Sequence, residues 1–400
     1  MEDAFEEAYV AACRLCSVEP LEAVVQAVAG EAREGKQSGE SKGEGAPGPV
    51  SIVLNGNSLV LFKERLQNHD VQAVAAAVKE TGQLIDTLDL SWNALNDHVA
   101  SDLVEIVLHG QVRHLDLSNN DLSAKGISSL LEVVESGKTS LETLSVAHNP
   151  IGPAGGVEVA KLLASTNCNL LELNLGSTDQ DTSSLISIAS SLKRNNTLRV
   201  VNLDNPTLFS FDDETTVHLA EVLKDHPSLE RVSLAKHRIR CSGATVLADA
   251  LNRNAVLWEL NLRCNEISIS GAQALAKLIL SDVSGLRDLN LEGNRVADDG
   301  AIALGDALCH SHNLAHLNLE NNSIHDAGLV ALARGLAVNS SIKSVRLWNN
   351  AFGQKSSRLF HSLHNGRFQH LGVDLDILPY IADHLTEEER DDPPIHVVRK

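Results

Sequence analysis

The residue types that do chemistry are all present in this 400-residue chain. Their spacings are the question. Gly30-Glu31-Ala32-Arg33-Glu34-Gly35-Lys36-Gln37 comes close to a phosphate-binding loop. Such a loop needs a Ser or Thr after its Lys to hold magnesium, and a strand before it. Here Gln37 takes the hydroxyl's place, and Glu31 and Glu34 put negative charge where phosphates would sit. Cys13-x-x-Cys16 could be half a zinc site or a redox pair. Zinc needs four ligands, and no second pair follows. Thioredoxin-like chemistry needs a preceding strand, and the sequence here is helix-like. At helical spacing the two thiols share a face, so the motif reads as packing. Cys168, Cys241, Cys264 and Cys309 are isolated and read as small apolar or edge residues. Seventeen histidines are scattered, with no His-Glu-x-x-His among them, and no Gly-x-Ser-x-Gly elbow occurs. The expectation is a chain without catalytic residues, metal or other cofactor.

What remains is recognition chemistry, carried by three tryptophans and a set of arginines. Their positions depend on an internal repeat. From about residue 85 one phrase recurs: apolar, two residues, apolar, one residue, apolar, two residues, Asn, one residue, apolar. Ile85-Leu88-Leu90-Asn93-Leu95 is the first full copy. Copies starting at Val112, Leu141, Leu257, Leu286, Leu314 and Ile342 follow, and a half-copy, Ile52-Leu54-Asn57-Leu59, precedes them. Three middle copies keep their aliphatic residues but carry Thr178, Pro206 and His237 at the Asn position. Leu-x-Leu at this spacing is a short strand with alternate side chains turned to a core. The Asn turns the chain out of the strand and can bond neighbouring backbone. A helix-period stretch follows each strand, with a small residue near its first turn: Gly126, Gly155, Gly243, Gly271, Gly300 or Gly328. No such unit buries its apolar face alone, so the units must stack.

This pattern resembles the leucine-rich repeat family, in its ribonuclease-inhibitor-like class. The resemblance implies an α/β leucine-rich repeat horseshoe: a right-handed solenoid with parallel strands on the concave side and helices on the convex side. The expected division is a helical N-terminal cap over 1–29, a flexible low-complexity loop over 30–50, an array of about eleven repeats over 51–364, and a C-terminal cap with an acidic tail over 365–400. Within the tail, Leu375, Ile377, Leu378, Tyr380 and Ile381 form an apolar phrase among acids. The segment from Leu203 to Thr215 breaks the period, and Pro206, Phe209 and Phe211 make it a candidate recognition loop, since loops on rigid scaffolds often carry binding.

If the phase is right, residues between and just after the repeat aliphatics face the open side. The candidate protein-binding residues there are Trp92, Arg113, His114, Arg231, Lys236, Trp258, Arg263, Arg287, Arg346 and Trp348. Trp and Arg are frequent interface anchors. The Asn column at 174, 202, 261, 290 and 318 reads as structural. The formal net charge of −20 argues against direct binding of nucleic acid or an acidic membrane. No apolar run approaches the roughly 18 residues of a membrane span, and a small-molecule ligand is not expected. The inferred face is polarised, acidic at its first strands and balanced to basic at its last.

Irregular features outside the consensus leucines resemble one subgroup of leucine-rich repeat-containing proteins. They are Ala12-Cys13-Arg14-Leu15-Cys16, Leu54-Asn55-Gly56-Asn57, Pro206-Thr207-Leu208-Phe209-Ser210 and Trp348-Asn349-Asn350. That resemblance implies a non-catalytic intracellular scaffold, in cytoplasm or nucleus, associated with the nucleolus and ribosome biogenesis. The alternative is a structural part of a ciliary or flagellar axoneme, in a radial spoke or linker complex.

Overall fold

The structure is a computed structural model that describes residues 2–26, 49–59, 61, 65–209, 213–281, 283–381 and 394–400. The chain divides into two compact units, 1–207 and 208–400, and the boundary falls inside the irregular segment flagged by Pro206. The loop expected at 30–50 lies outside the described residues except for Pro49 and Val50.

In the first unit, helix α1 (Glu2–Cys16) precedes six parallel strands alternating with helices. They run β1 (Val50–Val53), α2 (Asn68–Thr81), β2 (Ile85–Asp89), α3 (Ala100–Gly110), β3 (His114–Asp116) and α4 (Ala124–Glu135). They continue with β4 (Thr143–Ser145), α5 (Gly152–Ala164), β5 (Glu172–Asn174), α6 (Thr182–Leu192) and β6 (Val200–Asn202). The central aliphatics stand in register across the ladder, Leu88 beside Leu115, then Leu144, Leu173 and Val201. All five are buried. Helix α1 packs on α2, burying Phe5, Tyr9 and Cys13. The Tyr9 hydroxyl accepts from the Leu21 N–H at 3.2 Å.

The second unit repeats the plan with α7 (Glu214–Leu223), β7 (Arg231–Ser233), α8 (Cys241–Leu251), β8 (Glu259–Asn261), α9 (Ile269–Ile279) and β9 (Asp288–Asn290). It continues with α10 (Ala297–Leu308), β10 (His316–Asn318), α11 (Asp326–Val338), β11 (Ser344–Arg346) and α12 (Gln354–Leu363). The ladder extends one strand past residue 364, because β12 (Asp374–Leu375) pairs with β11. An antiparallel hairpin of β13 (Ile377–Ile381) and β14 (Ile395–Arg399) follows. So part of the expected acidic tail is ordered structure, and residues 382–393 of it lie outside the described residues. The physical reason is the apolar phrase: Leu375 and Ile377 are buried, while Leu378, Tyr380 and Ile381 stay exposed.

The fold is the leucine-rich repeat solenoid that the resemblance implies, and two devices lock it. The first is an asparagine ladder. Asn294 donates to the carbonyls of Leu262 and Leu291, both at 2.9 Å, and accepts from the Ile267 N–H at 3.0 Å. Asn93, Asn120, Asn149, Asn265, Asn322 and Asn350 bond in the same style. Where Thr178 replaces Asn, its hydroxyl donates to Leu175 O at 2.7 Å and Gln180 supplies a further bond to Gly152 O at 3.0 Å. The second device is close helix packing. A Cβ on Gly335 of α11 would stand 2.2 Å from the Gly305 carbonyl oxygen of α10, a distance only glycine permits.

Candidate protein-binding face

A parallel sheet usually carries cover on both faces. Here the three-residue strands alternate half-exposed, buried, half-exposed along most of each unit. The residue in the middle points to the core. The two flanking it point to an open side, and these define the candidate face.

In the first unit, the residues before the central aliphatic are Thr87, His114, Thr143, Glu172 and Val200. Those after it are Asp89, Asp116, Ser145, Asn174 and Asn202. A depression of about 380 Å³ lies over β2–β6 and is lined by all of these but Asp89, together with buried leucines. It exists because Thr143 and Ser145 are small between larger neighbours on β3 and β5. His114 Nδ1 lies 2.9 Å from Thr143 Oγ1. Sequence reasoning found His114 but missed Thr143 and Ser145, because short hydroxyl side chains carry no chemical signature of their own.

The second half of each flanking pair also shapes the backbone. Asp89, Asp116, Asn174, Asn202, Asn261, Asn290 and Asn318 each accept, through a side-chain oxygen, the N–H two residues on. This is a turn-forming bond, and it supports the structural reading of that Asn column. The turn then passes through a left-handed residue just before the ladder position, which is Asn in most repeats and His237 in one. Trp92 (φ 61°), His148 (φ 56°) and Lys236 (φ 60°) all sit there. A bulky side chain in that region costs roughly 1 kcal/mol or more, so Trp92 is held at some expense and is 41% exposed.

The remaining expected site residues fall at different levels of the repeat. Arg113 sits at the strand's entry, where it pairs with Asp86 at 3.1 Å and approaches Glu142 at 3.9 Å. In the second unit, the Arg231 guanidinium lies 6.0 Å from the centre of the half-buried Trp258 ring. Arg287 is exposed, and its N–H donates to Trp258 O at 2.8 Å. Arg263 pairs with Glu292 at 2.9 Å and Arg346 with Asp374 at 2.6 Å. Lys236 is exposed. The three tryptophans therefore do not form one row: Trp258 enters a strand, whereas Trp92 and Trp348 leave one. Trp348 is half-buried, and Arg399 of β14 lies 6.0 Å from its ring centre. Sequence reasoning did not foresee that contact. Pro206 is half-buried and Phe209 is 85% exposed. Phe211 lies outside the described residues.

Charge on the second unit's open face is stacked along the ladder, with two carboxylates side by side. Arg231, Glu259, Asp288 and His316 stand in register on four adjacent strands. Burial pushes the Glu259 carboxyl up, the neighbouring Asp288 charge adds to this, and Arg231 opposes it. Burial likewise raises Asp288, against the pull of His316. Among the described residues no group of three or more His, Cys, Asp or Glu could hold a metal ion. Among the same residues, no helix is long and apolar enough to cross a membrane.

Comparison with known proteins accords with this geometry. Residues 112–131, 137–160, 253–276, 286–305 and 310–333 match the Leucine Rich repeat family. Leucine-rich repeat-containing protein 34 of Mus musculus is 31% identical over 103 residues, 26% of this chain and 25% of that protein. NACHT, LRR and PYD domains-containing protein 4C of Mus musculus is 28% identical over 217 residues, 52% of this chain and 21% of that protein. Protein phosphatase 1 regulatory subunit 37 of Bos taurus is 28% identical over 237 residues, 59% of this chain and 33% of that protein. The matched stretches thus span a third or less of these relatives' own lengths. Among solved structures, a chain of the yeast Rad7–Elc1 complex superposes with a TM-score of 0.52, covering 89% of this chain and 91% of that one at 15% identity. That likeness shows the fold.

Proposed function

We propose that this leucine-rich repeat protein is a non-catalytic scaffold that receives a protein partner on the open face of its strands. One observation carries the reading: among the described residues, a parallel sheet has its second face left uncovered and lined by polar, charged and aromatic side chains. The depression of about 380 Å³ lies open along the strands and has room for a side chain presented by another protein. The proposed contacts are Trp92 and His114 on the first unit and Arg231, Lys236, Trp258, Arg263, Arg287, Arg346 and Trp348 on the second. Arg113 lies beside them. Phe209, 85% exposed, extends the proposal to the irregular loop.

The finer part of the proposal is a role associated with the nucleolus and ribosome biogenesis, rather than in an axoneme. Similarity to Leucine-rich repeat-containing protein 34 supports it. A photo-crosslinking residue at Ser145 tests the scaffold reading against one at Glu132, on the exposed side of α4. Partners are expected to be captured from Ser145 and not from Glu132; the opposite pattern would overturn it. Fractionation tests the setting, because an axonemal part resists detergent and co-purifies with microtubules.

A further inference from the structure

The end of the second unit's open face collects acids around one nearly buried carboxyl. Glu320 follows β10, and its side chain is only 11% exposed. Asp376 lies beside it, 9% exposed, and accepts the N–H groups of Leu347 and Trp348, both at 2.8 Å. Burial, and then the Asp376 charge, push the Glu320 carboxyl up, and Glu292 adds to this. Arg263 answers Glu292 at 2.9 Å. What answers Glu320 is the guanidinium of Arg399, which sits 3.5 Å from Glu320 Oε2 and 6.0 Å from the centre of the Trp348 ring.

Carboxylate on one side and an indole face on the other is how proteins hold a guanidinium. The two halves of this contact are unequal. Asp376 is fixed by burial and two backbone hydrogen bonds, and Glu320 by burial beside it. The Arg399 side chain is 59% exposed and hangs from the second strand of a hairpin. An ion pair with one partner so open to water is weak and exchangeable. Glu320 and Trp348 belong to the last repeats and Asp376 to the strand connection that closes them, whereas the occupant is loosely held.

We propose that Glu320, Asp376 and Trp348 form an arginine-recognition site on the open face, that the chain's own Arg399 occupies it, and that an arginine-bearing segment of a partner protein takes Arg399's place. This rests on the reading that the face receives a protein, and names the chemistry of what it receives there. Arginine is favoured over lysine because a planar guanidinium can stack on Trp348 while bonding Glu320; a compact ammonium does one or the other. β14 then acts as an internal competitor. Lys400 strengthens its hold, with its ammonium 3.2 Å from Asp374 and its N–H on Asp376 O at 2.8 Å.

The test uses the full chain and a fluorescein-labelled peptide of alternating arginine and glycine, with a lysine-for-arginine peptide as control. Arg399→Ala is expected to tighten binding of the arginine peptide at least tenfold and to leave the lysine peptide weak. Adding Glu320→Gln or Trp348→Ala to Arg399→Ala is expected to abolish the gain. Arg399→Lys keeps the charge and the strand, so it guards against a folding artefact; it should show an intermediate gain. Equal peptide affinity in the wild type, Arg399→Lys and Arg399→Ala would overturn the proposal, as would a gain that survives Glu320→Gln. If Ser145 crosslinking captures a partner while the peptide series is flat, only the arginine site fails. If Ser145 captures nothing that Glu132 does not, the scaffold reading fails whatever the peptide does.

Discussion

Replacing Asn294 by Ala isolates the ladder's contribution. The side chain is 4% exposed and serves three main groups. Its amide donates to Leu262 O and Leu291 O, and its oxygen accepts from Ile267 N–H. After truncation the two carbonyls keep other partners. Asn265 still reaches Leu262 O at 2.9 Å, and Asn322 still reaches Leu291 O at 2.8 Å. Ile267 N–H has no such substitute, so its orphaning costs about 1–3 kcal/mol, and the lost carbonyl bonds add about 1 kcal/mol. The expected loss is therefore about 2–4 kcal/mol, less than the roughly 3–9 kcal/mol that three orphaned buried groups would cost. Urea unfolding followed by circular dichroism measures it, with the slope checked for constancy so that the midpoint reports stability. Asn290→Ala is the matched control. That Asn lies on the open face, half-exposed, and satisfies only Glu292 N–H at 2.9 Å, so about 0.5–1 kcal/mol is expected. Equal losses at Asn290 and Asn294, or a loss below about 1 kcal/mol at Asn294, would refute the reasoning.

Gly335→Ala should lose about 1–3 kcal/mol by forcing α10 and α11 apart; Gly366→Ala, where a Cβ meets nothing within 4 Å, should change the thermal midpoint little. Glu259→Gln should raise stability by about 0.5–1 kcal/mol, because it removes one of two carboxylates in register. Its wild-type penalty is fully present above the raised folded pKa and is relieved as pH falls towards the unfolded value, so the gain should shrink in acid urea melts. Cys241 has its thiol pKa set by burial, which raises it, against hydrogen bonds from Ser268, Ser270 and Gly271, which win and bring it down to about 7 from 9.0. A depressed acid stabilises the fold fully above the unfolded value and loses that as pH falls through about 7. Stability should thus rise by about 1–2 kcal/mol between pH 7 and 9, and the rise should vanish in Cys241→Ser.

The solenoid was legible because its signal is redundant. Leu88, Leu115, Leu144, Leu173 and Val201 must each be apolar for the same reason, so the phase survives any one irregular copy. Even Thr178 could be placed by phase before its hydroxyl was seen to donate to Leu175 O. A second ladder was not legible. Asn195, Asn254 and Asn339 lie three residues before the first aliphatic of their repeats, and each donates to the last carbonyls of a preceding helix, at Leu163, Leu223 and Leu308. Each also accepts the N–H of that first aliphatic, Leu198, Leu257 or Ile342. Three of the described repeats carry Asn there, and in a fourth His226 accepts the Leu229 N–H at 3.1 Å, so the residue type varies too much to stand out in sequence.

The candidate face was legible in outline only, and the reason is geometric. Period fixes which residues leave the core, but not which neighbours they meet there. Trp92, Trp258 and Trp348 look equivalent as three tryptophans outside the aliphatic pattern. Trp92 is held open by a left-handed backbone, Trp258 lies beside Arg231, and Trp348 lies beside a residue 51 positions later in the chain, Arg399. No local spacing links Arg399 to Trp348. The link needs the buried Leu375 and Ile377 to return the chain to the sheet and the pairing of Ile377 with Arg399 to bring β14 alongside. A solenoid's repeats are specified by local sequence, but what its ends fold back to cover depends on contacts that no repeat contains. The features most specific to this chain therefore lie where the repeat stops.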